Sequence, residues 1–126
     1  MSDSVGEFSH KHTGSGYTKT AEGVIVGYSN WEGTATGFGT VFGTLSVPHG
    51  ESGATSGSCT WIGQAYLDDG SSVTGEGKGT WQQVEGQHRW KLSFPEIEIS
   101  SGVRLRTEGE IDLANRTFTG QMFDAG

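Results

Sequence analysis

The sequence predicts an all-β protein in which about eight antiparallel strands close into a single barrel. Apolar and polar residues alternate along most of the chain, glycine-containing turn signals recur at short intervals, and no long segment has the period of a helix. The 126 residues are enough for one domain, residues 1–126. The 22 glycines follow no collagen-like period, so we expect them in turns, bulges and strand interiors. A sandwich of two sheets is the alternative architecture.

The clearest predicted hairpin covers residues 74–94, TGEGKGTWQQVEGQHRWKLSF. Its simplest turn is the two-residue loop Glu85-Gly86, whose glycine supplies a positive φ. One face is then wholly polar, and the other carries a row of glycines and large apolar side chains, as half-buried strands do. Four pairs would face each other on the inner side: Trp81 with Trp90, Gly79 with Leu92, Gly77 with Phe94, and Gln83 with His88.

Residues 58–67 form the preceding strand, and Asp68-Asp69-Gly70 joins it to the hairpin. This is a three-residue loop, a type I turn closed by a left-handed glycine. Three further pairs would then face each other inside the barrel: Cys59 with Gly79, Trp61 with Gly77, and Ala65 with Val73. Large rings that lie over glycines fill a strand lacking side chains. The two turns, chosen independently, assign the same inner face to the glycine strand.

The first half of the chain predicts three strands. Residues 1–4 are expected to be loose, residues 5–12 form the first strand, and residues 13–17 form a loop rich in glycine and serine. The second strand places Val24, Val26 and Tyr28 on its inner face, and Trp31-Glu32-Gly33 is its predicted turn.

Residues 34–47 are predicted to form the third strand, with aliphatic Leu45 and Val47 inside. This choice leaves Phe38 and Phe42 outside among threonines. The two phenylalanines predict an interface between copies of the chain. Scattered exposed phenylalanines, which are normal on protein surfaces, are the alternative.

The last third of the chain extends the second strand of the hairpin beyond Pro95 and contains two more predicted strands. A loop over residues 48–56 precedes the fourth strand, and Pro95 predicts a bulge, an edge or a sheet corner. Ser100-Ser101-Gly102 is another three-residue loop, which sets Ile97 opposite Leu105. Residues 114–116 turn the chain into the final strand, whose inner positions are Phe118, Gly120 and Met122.

The composition excludes several classes of function. A net charge of −7 repels phosphate backbones, so nucleic acid is not an expected partner. No apolar run approaches the roughly 20 residues of a membrane helix, so no membrane partner is expected. One cysteine excludes an intramolecular disulfide, and residues 1–7 are polar and acidic rather than a signal peptide. The cytoplasm is therefore the expected compartment.

The chemistry-bearing motifs predict neither a metal nor a cofactor. His10 and His12 share one face of a strand and are a possible metal pair, but a site also needs a third and a fourth ligand, from His49, His88 or a carboxylate. We therefore expect these histidines to be solvated. The GEGKG segment at residues 75–79 lacks the spacing and the following helix of a phosphate loop. Cys59 has no partner base nearby in the sequence and is expected to be a buried structural thiol.

The inner face predicts a ligand site. Glycines on that face leave space in the barrel, and an apolar pocket with a few polar groups is the usual small-molecule site. The predicted polar contacts are His88, Gln83 and Tyr28, with His88 the candidate catalytic acid or base. The predicted apolar wall consists of Cys59, Trp61, Trp81, Trp90 and Phe94. The alternatives are plain core packing for the tryptophans and a half-exposed rim position for His88.

Three functions are compatible with this site. The first is binding of an apolar or aromatic small molecule inside the barrel. The second is a cofactor-free isomerase or cyclase that uses the same cavity to guide a reactive intermediate. The third is a filled barrel that binds no ligand and serves as an assembly subunit through Phe38 and Phe42.

The pattern of strands and turns over residues 23–123 resembles the small antiparallel barrels of allene oxide cyclases and dirigent proteins. Those families also have glycine-rich meanders with alternating apolar inner faces. The resemblance implies a cofactor-free, often oligomeric barrel with an apolar cavity that steers the cyclisation or coupling of reactive apolar substrates. It lies in the pattern and in no residue motif, so no catalytic residue is carried over.

Overall fold

The computed structural model describes residues 3–50 and 52–126, and they form one closed antiparallel barrel. Eight strands follow one another in chain order, and the last pairs with the first. The predicted all-β meander barrel is therefore confirmed. Within these two ranges no helix is long and apolar enough to cross a membrane. The strands are β1 (Ser4–Lys19), β2 (Ile25–Ala35), β3 (Gly39–His49), β4 (Ser56–Tyr66), β5 (Ser72–Gln83), β6 (Arg89–Ile99), β7 (Arg104–Asp112) and β8 (Thr117–Asp124).

Strand β1 is longer than predicted. Residues 13–17, expected to form a loop, continue the strand after a bulge between His12 and Gly14. Residues 14–19 pair with β2 on one side only, because the pairing with β8 ends at Lys11. The glycines and serines are accommodated here because this part of β1 extends beyond the closed wall of the barrel. Of the residues expected to be loose, Met1 and Ser2 lie outside the described ranges.

The turn between β2 and β3 differs from the prediction. Trp31, Glu32 and Gly33 lie inside β2, and the turn is formed by residues 36–38. The indole of Trp31 is buried in the core, and strand residues alternate between faces. Tyr28 therefore points outward and is 37% exposed, so its predicted inner position is wrong.

Two hairpin turns are confirmed. Leu67 donates its backbone N–H to Ser71 across Asp68-Asp69-Gly70, and Ile99 does the same to Val103 across Ser100-Ser101-Gly102. The third residue of each loop is a glycine with a positive φ, 92° at Gly70 and 99° at Gly102. The resulting registers are those predicted, including Trp61 opposite Gly77 and Ile97 opposite Leu105.

The β5–β6 turn has four residues instead of two. Val84 donates to the carbonyl of Arg89, so residues 85–88 form the loop and Trp81 pairs with Leu92 instead of Trp90. A two-residue turn of type I′ needs positive φ at both central residues, and Glu85 does not adopt it. The register moves by two residues, so the paired side chains stay on their predicted faces. His88, predicted to pair with Gln83, lies in the turn instead.

The two prolines occupy places where a backbone N–H is not needed. The β5–β6 and β6–β7 registers both shift around Pro95, so the predicted bulge is confirmed. Pro48 was assigned to a loop but lies in β3, opposite Val26 and beyond the last residue of β3 that pairs with β4. The loop after β3 therefore begins at Gly50, and Glu51 lies outside the described residues.

Large side chains lie over inner-face glycines, but the partners differ from those predicted. A Cβ at Gly79 would lie 2.7 Å from the ring of Phe94, and one at Gly77 would lie 2.7 Å from Ile97. The indole of Trp61 covers Gly43 of the neighbouring strand β3 and Gly63 of its own strand instead of Gly77. Removing Cβ atoms lets rings lie flat against the barrel wall. The rings over these glycines complete a core to which all eight strands contribute side chains.

Candidate functional site

A cavity of about 90 Å³ lies inside the barrel, towards the end formed by the β2–β3, β4–β5 and β6–β7 turns. Its lining is almost entirely apolar. Phe8, Trp61, Phe94 and Phe118 contribute rings, Phe38 contributes the ring nearest the turns, and His10 contributes an imidazole. We take this cavity as the candidate site because it combines an apolar space inside the barrel with one titratable group.

His10 is the titratable group of the cavity, and its predicted position in solvent is wrong. The residue is 4% exposed. Its ring stacks on Phe8 at 5.1 Å and on Trp61 at 5.7 Å between centroids, and the edge of Phe118 lies 6.1 Å away. Within the described part of the chain, Nδ1 is buried and has no hydrogen-bond partner.

The aromatic surroundings determine the charge of His10. Burial lowers the pKa of its imidazole from 6.5 to about 4, because the cation would lose its hydration among apolar rings. His10 is therefore neutral near pH 7, with one ring nitrogen that can donate a hydrogen bond and one that can accept. The clue in the sequence was its position two residues after Phe8, on the same face of β1.

All five residues predicted to form the apolar wall lie inside the barrel, but only two of them line the cavity. Trp61 and Phe94 both line the cavity, and Phe94 is 2% exposed. Cys59 belongs to the buried core but not to the cavity lining. Desolvation raises the pKa of its thiol to about 11, so it is protonated near neutral pH. This placement fits the expected structural thiol.

Trp81 and Trp90 do not reach the cavity. Both are partly buried and pack against the core, next to Leu92 and Ile111 on the neighbouring strands. The indole of Trp81 covers Gly57, and its Nε1 is buried with no hydrogen-bond partner among the described residues. These two tryptophans therefore fill the half of the barrel that leads to the β5–β6 turn.

The three predicted polar contacts lie away from the cavity. His88 was expected on the inner face of β6, but it is exposed in the four-residue turn, with its ring centroid 6.1 Å from that of Trp90. Gln83 donates through Nε2 to the carbonyl of Gln87 at 2.7 Å. Tyr28 is on the outer face, as described above. The longer turn explains the position of His88, because it ends β5–β6 pairing before that residue.

His10 and His12 do not form a metal pair. His10 is enclosed by rings, whereas Nε2 of His12 is hydrogen bonded to Oγ of Ser15 at 2.6 Å. Across residues 3–50 and 52–126, no group of three or more histidine, cysteine, aspartate or glutamate side chains could hold a metal ion.

The outer face of β3 and β4 carries a small apolar patch. Phe42 is 45% exposed and meets Tyr66 edge to face, with 5.8 Å between centroids. Ile62 of β4 is exposed on the same face. Phe38, predicted to lie beside Phe42, is instead in the β2–β3 turn and packs against the core. Phe42 is therefore exposed on this face without Phe38 beside it.

The chain matches no protein-family model, no curated protein and no solved structure. The likeness to allene oxide cyclases and dirigent proteins stays a prediction. The cavity and the imidazole of His10 are therefore the features from which a function is inferred.

Proposed function

We propose that this barrel binds a small, uncharged aromatic or apolar molecule in its interior cavity. The observation that carries the proposal is the buried imidazole of His10, whose Nδ1 has no hydrogen-bond partner among the described residues, in a cavity with an almost entirely apolar lining. Burying a polar group without a hydrogen-bond partner costs free energy, so such a group usually has a role that explains its presence. A ligand with one hydrogen-bonding group would form a hydrogen bond with the imidazole and would also fill the cavity.

The size of the cavity limits the ligand. Its volume of about 90 Å³ exceeds the roughly 10–15 Å³ that one water requires. It is smaller than the cavity of about 150 Å³ that binds benzene in an engineered protein core. Typical drug-sized ligands occupy about 300–1,000 Å³. The ligand is therefore no larger than about one ring, and some side chain at the cavity must move to admit it.

The chemistry of the lining limits the ligand further. A charged group would lose its hydration among the rings of Phe8, Trp61, Phe94 and Phe118, at a large cost in free energy. His10 is neutral and offers no compensating charge. A phenol-like molecule fits best, because its ring can stack on the aromatic lining while its hydroxyl meets an imidazole nitrogen.

The test compares phenol with toluene, which has a similar shape but no hydroxyl. Calorimetric titration should show saturable binding of both to the wild-type protein, with phenol tighter. In His10→Phe, which keeps a stacked ring but lacks the nitrogens, phenol binding should weaken about tenfold and toluene binding by less than about twofold. His88→Phe, changed at an exposed histidine, is the matched control and should bind both probes as the wild type does. The proposal fails if neither probe binds, or if the two histidine variants behave alike.

A cofactor-free isomerase or cyclase is the second candidate. The same imidazole favours it, since a neutral histidine in an apolar site can act as a general base or as a donor to developing charge. In this case the acid or base is His10 and not His88. Turnover of a reactive polyunsaturated substrate, lost in His10→Phe and retained in His88→Phe, would distinguish catalysis from binding alone.

A ligand-free assembly subunit is the third candidate, and the exposed patch of Phe42, Ile62 and Tyr66 favours it. A mass in solution above that of one chain, which falls in Phe42→Glu, would support this role.

The cytoplasm stays the expected compartment, because the one thiol is buried and has no cysteine to pair with.

A further inference from the structure

We infer that the side chain of Phe38 competes with the ligand for the mouth of the cavity and so sets the size of molecule that this barrel accepts. The inference rests on the proposed function. Phe38 lines the cavity at its turn end and packs against the buried core. It belongs to a turn and not to a strand, so moving it breaks no inter-strand pairing.

The geometry of the turn suits a movable side chain. Phe38 donates its backbone N–H to the carbonyl of Ala35 at 3.0 Å, which closes a tight turn. Gly37 and Gly39 flank it with φ of 79° and 75°. A Cβ at Gly37 would meet no atom within 4 Å, so the apex of the turn is surrounded by open space. Glycines on both sides let this residue change direction with little steric cost.

The base of the same turn is held in place. Thr36 donates its N–H to the carbonyl of Glu7 at 3.0 Å, and its Oγ1 accepts the N–H of Glu7 at 3.1 Å. A Cβ at Gly39 would overlap the carbonyl oxygen of Tyr66, so the backbone there is pressed against the β4 wall. The turn is therefore held at Thr36 on one side and at Gly39 on the other. Phe38 lies between these two positions.

The cavity volume supplies the reason for the competition. With Phe38 in place, the cavity of about 90 Å³ is smaller than the cavity of about 150 Å³ that binds benzene in an engineered protein core. If the phenyl ring of Phe38 turns outward, the space that it now occupies is added to the cavity. The enlarged cavity then admits a ligand with one aromatic ring and restricts a ligand with two. Every ligand of that size therefore loses part of its binding free energy to the displacement of Phe38 from its apolar contacts.

The test uses phenol and 1-naphthol, which carry the same hydroxyl on one ring and on two. Phe38→Ala should bind phenol more tightly than the wild type, and should gain about tenfold or more for 1-naphthol, which buries more apolar area. Phe38→Trp should weaken both. Phe38→Leu, which keeps apolar bulk without the ring, should lie between the wild type and Phe38→Ala. Phe42→Ala removes an exposed phenylalanine from the adjoining strand and should bind as the wild type does.

The outcomes separate the two proposals. If the wild type binds phenol and the three Phe38 variants bind both probes with unchanged affinity, the role of Phe38 is refuted and the proposed function stands. If no folded variant binds either probe, the proposed function fails, and the role of Phe38 with it. His10→Phe made in the Phe38→Ala background should weaken phenol binding as in the wild type. An unchanged affinity there would show that the probe sits outside the cavity, which also refutes the role of Phe38.

Discussion

Protonation of His10 should destabilise the fold in a defined pH window. The pKa of its imidazole is about 4 in the folded protein, against 6.5 for an ordinary histidine. Between these values the unfolded chain binds a proton at this residue and the folded chain does not. The free energy of unfolding therefore falls as the pH is lowered from 6.5 to 4, and below 4 this residue causes no further loss.

The magnitude follows from the size of the pKa change. Each pH unit between the two values contributes about 1.4 kcal/mol, so His10 should account for a loss of about 3 kcal/mol. This is a large part of the roughly 5–15 kcal/mol that stabilises a typical domain. The side chains stacked on and edge-on to the imidazole are the rings of Phe8, Trp61 and Phe118, which carry no charge to offset the effect.

The assay is urea unfolding of the wild type and of His10→Phe at several pH values between 7 and 4. Carboxylates titrate in both proteins, so the quantity to follow is the difference between them. That difference should move by about 3 kcal/mol across the window, whereas His88→Phe should run parallel to the wild type. Parallel curves for His10→Phe and the wild type would refute the argument, as would an NMR titration of His10 with a midpoint near 6.5.

Three further predictions concern the packing of the barrel. Gly43→Ala should destabilise the protein by about 1–3 kcal/mol, because its Cβ would overlap the indole of Trp61. Gly16→Ala, at a position with open space, should change stability by less than about 1 kcal/mol. Equal losses of stability for the two variants in urea unfolding would contradict the packing argument. Phe94→Ala should cost about 3–5 kcal/mol, since the ring is almost fully buried, and a loss below about 1 kcal/mol would show that the ring is not a core element. The Cys59 thiol should resist a disulfide reagent in native buffer and react once urea unfolds the chain, because it is buried and protonated; rapid labelling of the native protein would disprove its burial.

Local turn chemistry explains which hairpins could be predicted. Asp68-Asp69-Gly70 and Ser100-Ser101-Gly102 each place a glycine where a three-residue loop needs a left-handed residue, and both registers follow from that. A two-residue loop at Glu85-Gly86 would need a positive φ at both residues, and only Gly86 adopts one, so the turn is two residues longer than predicted. An error of two residues is harmless to the assignment of faces, because strand side chains alternate with a period of two.

The β2–β3 turn shows where local signals fail. Glycine follows Trp31-Glu32 and also occurs at residues 37 and 39, so either segment could have turned the chain. The burial of Trp31 decides between them, and that burial depends on Phe118 of β8, whose ring lies 5.6 Å from the indole centroid. The outward position of Tyr28 and the inward position of Phe38 both follow from this one choice.

Alternation of apolar side chains and the chemistry of turns act between residues close together in the chain, so the sequence by itself determined the all-β class, the inner face of β4 to β8, and the placement of Trp61 and Phe94 inside. The tertiary structure alone decided that His10 is buried. Phe8 adjoins His10 on the same face of β1, but closure of the barrel brings Trp61 of β4 and Phe118 of β8 to the imidazole, and rings so distant in the sequence leave no local signal of their meeting. The same closure sets the cavity volume and carries the β2–β3 turn to its mouth, because enclosed space is a property of all eight strands together.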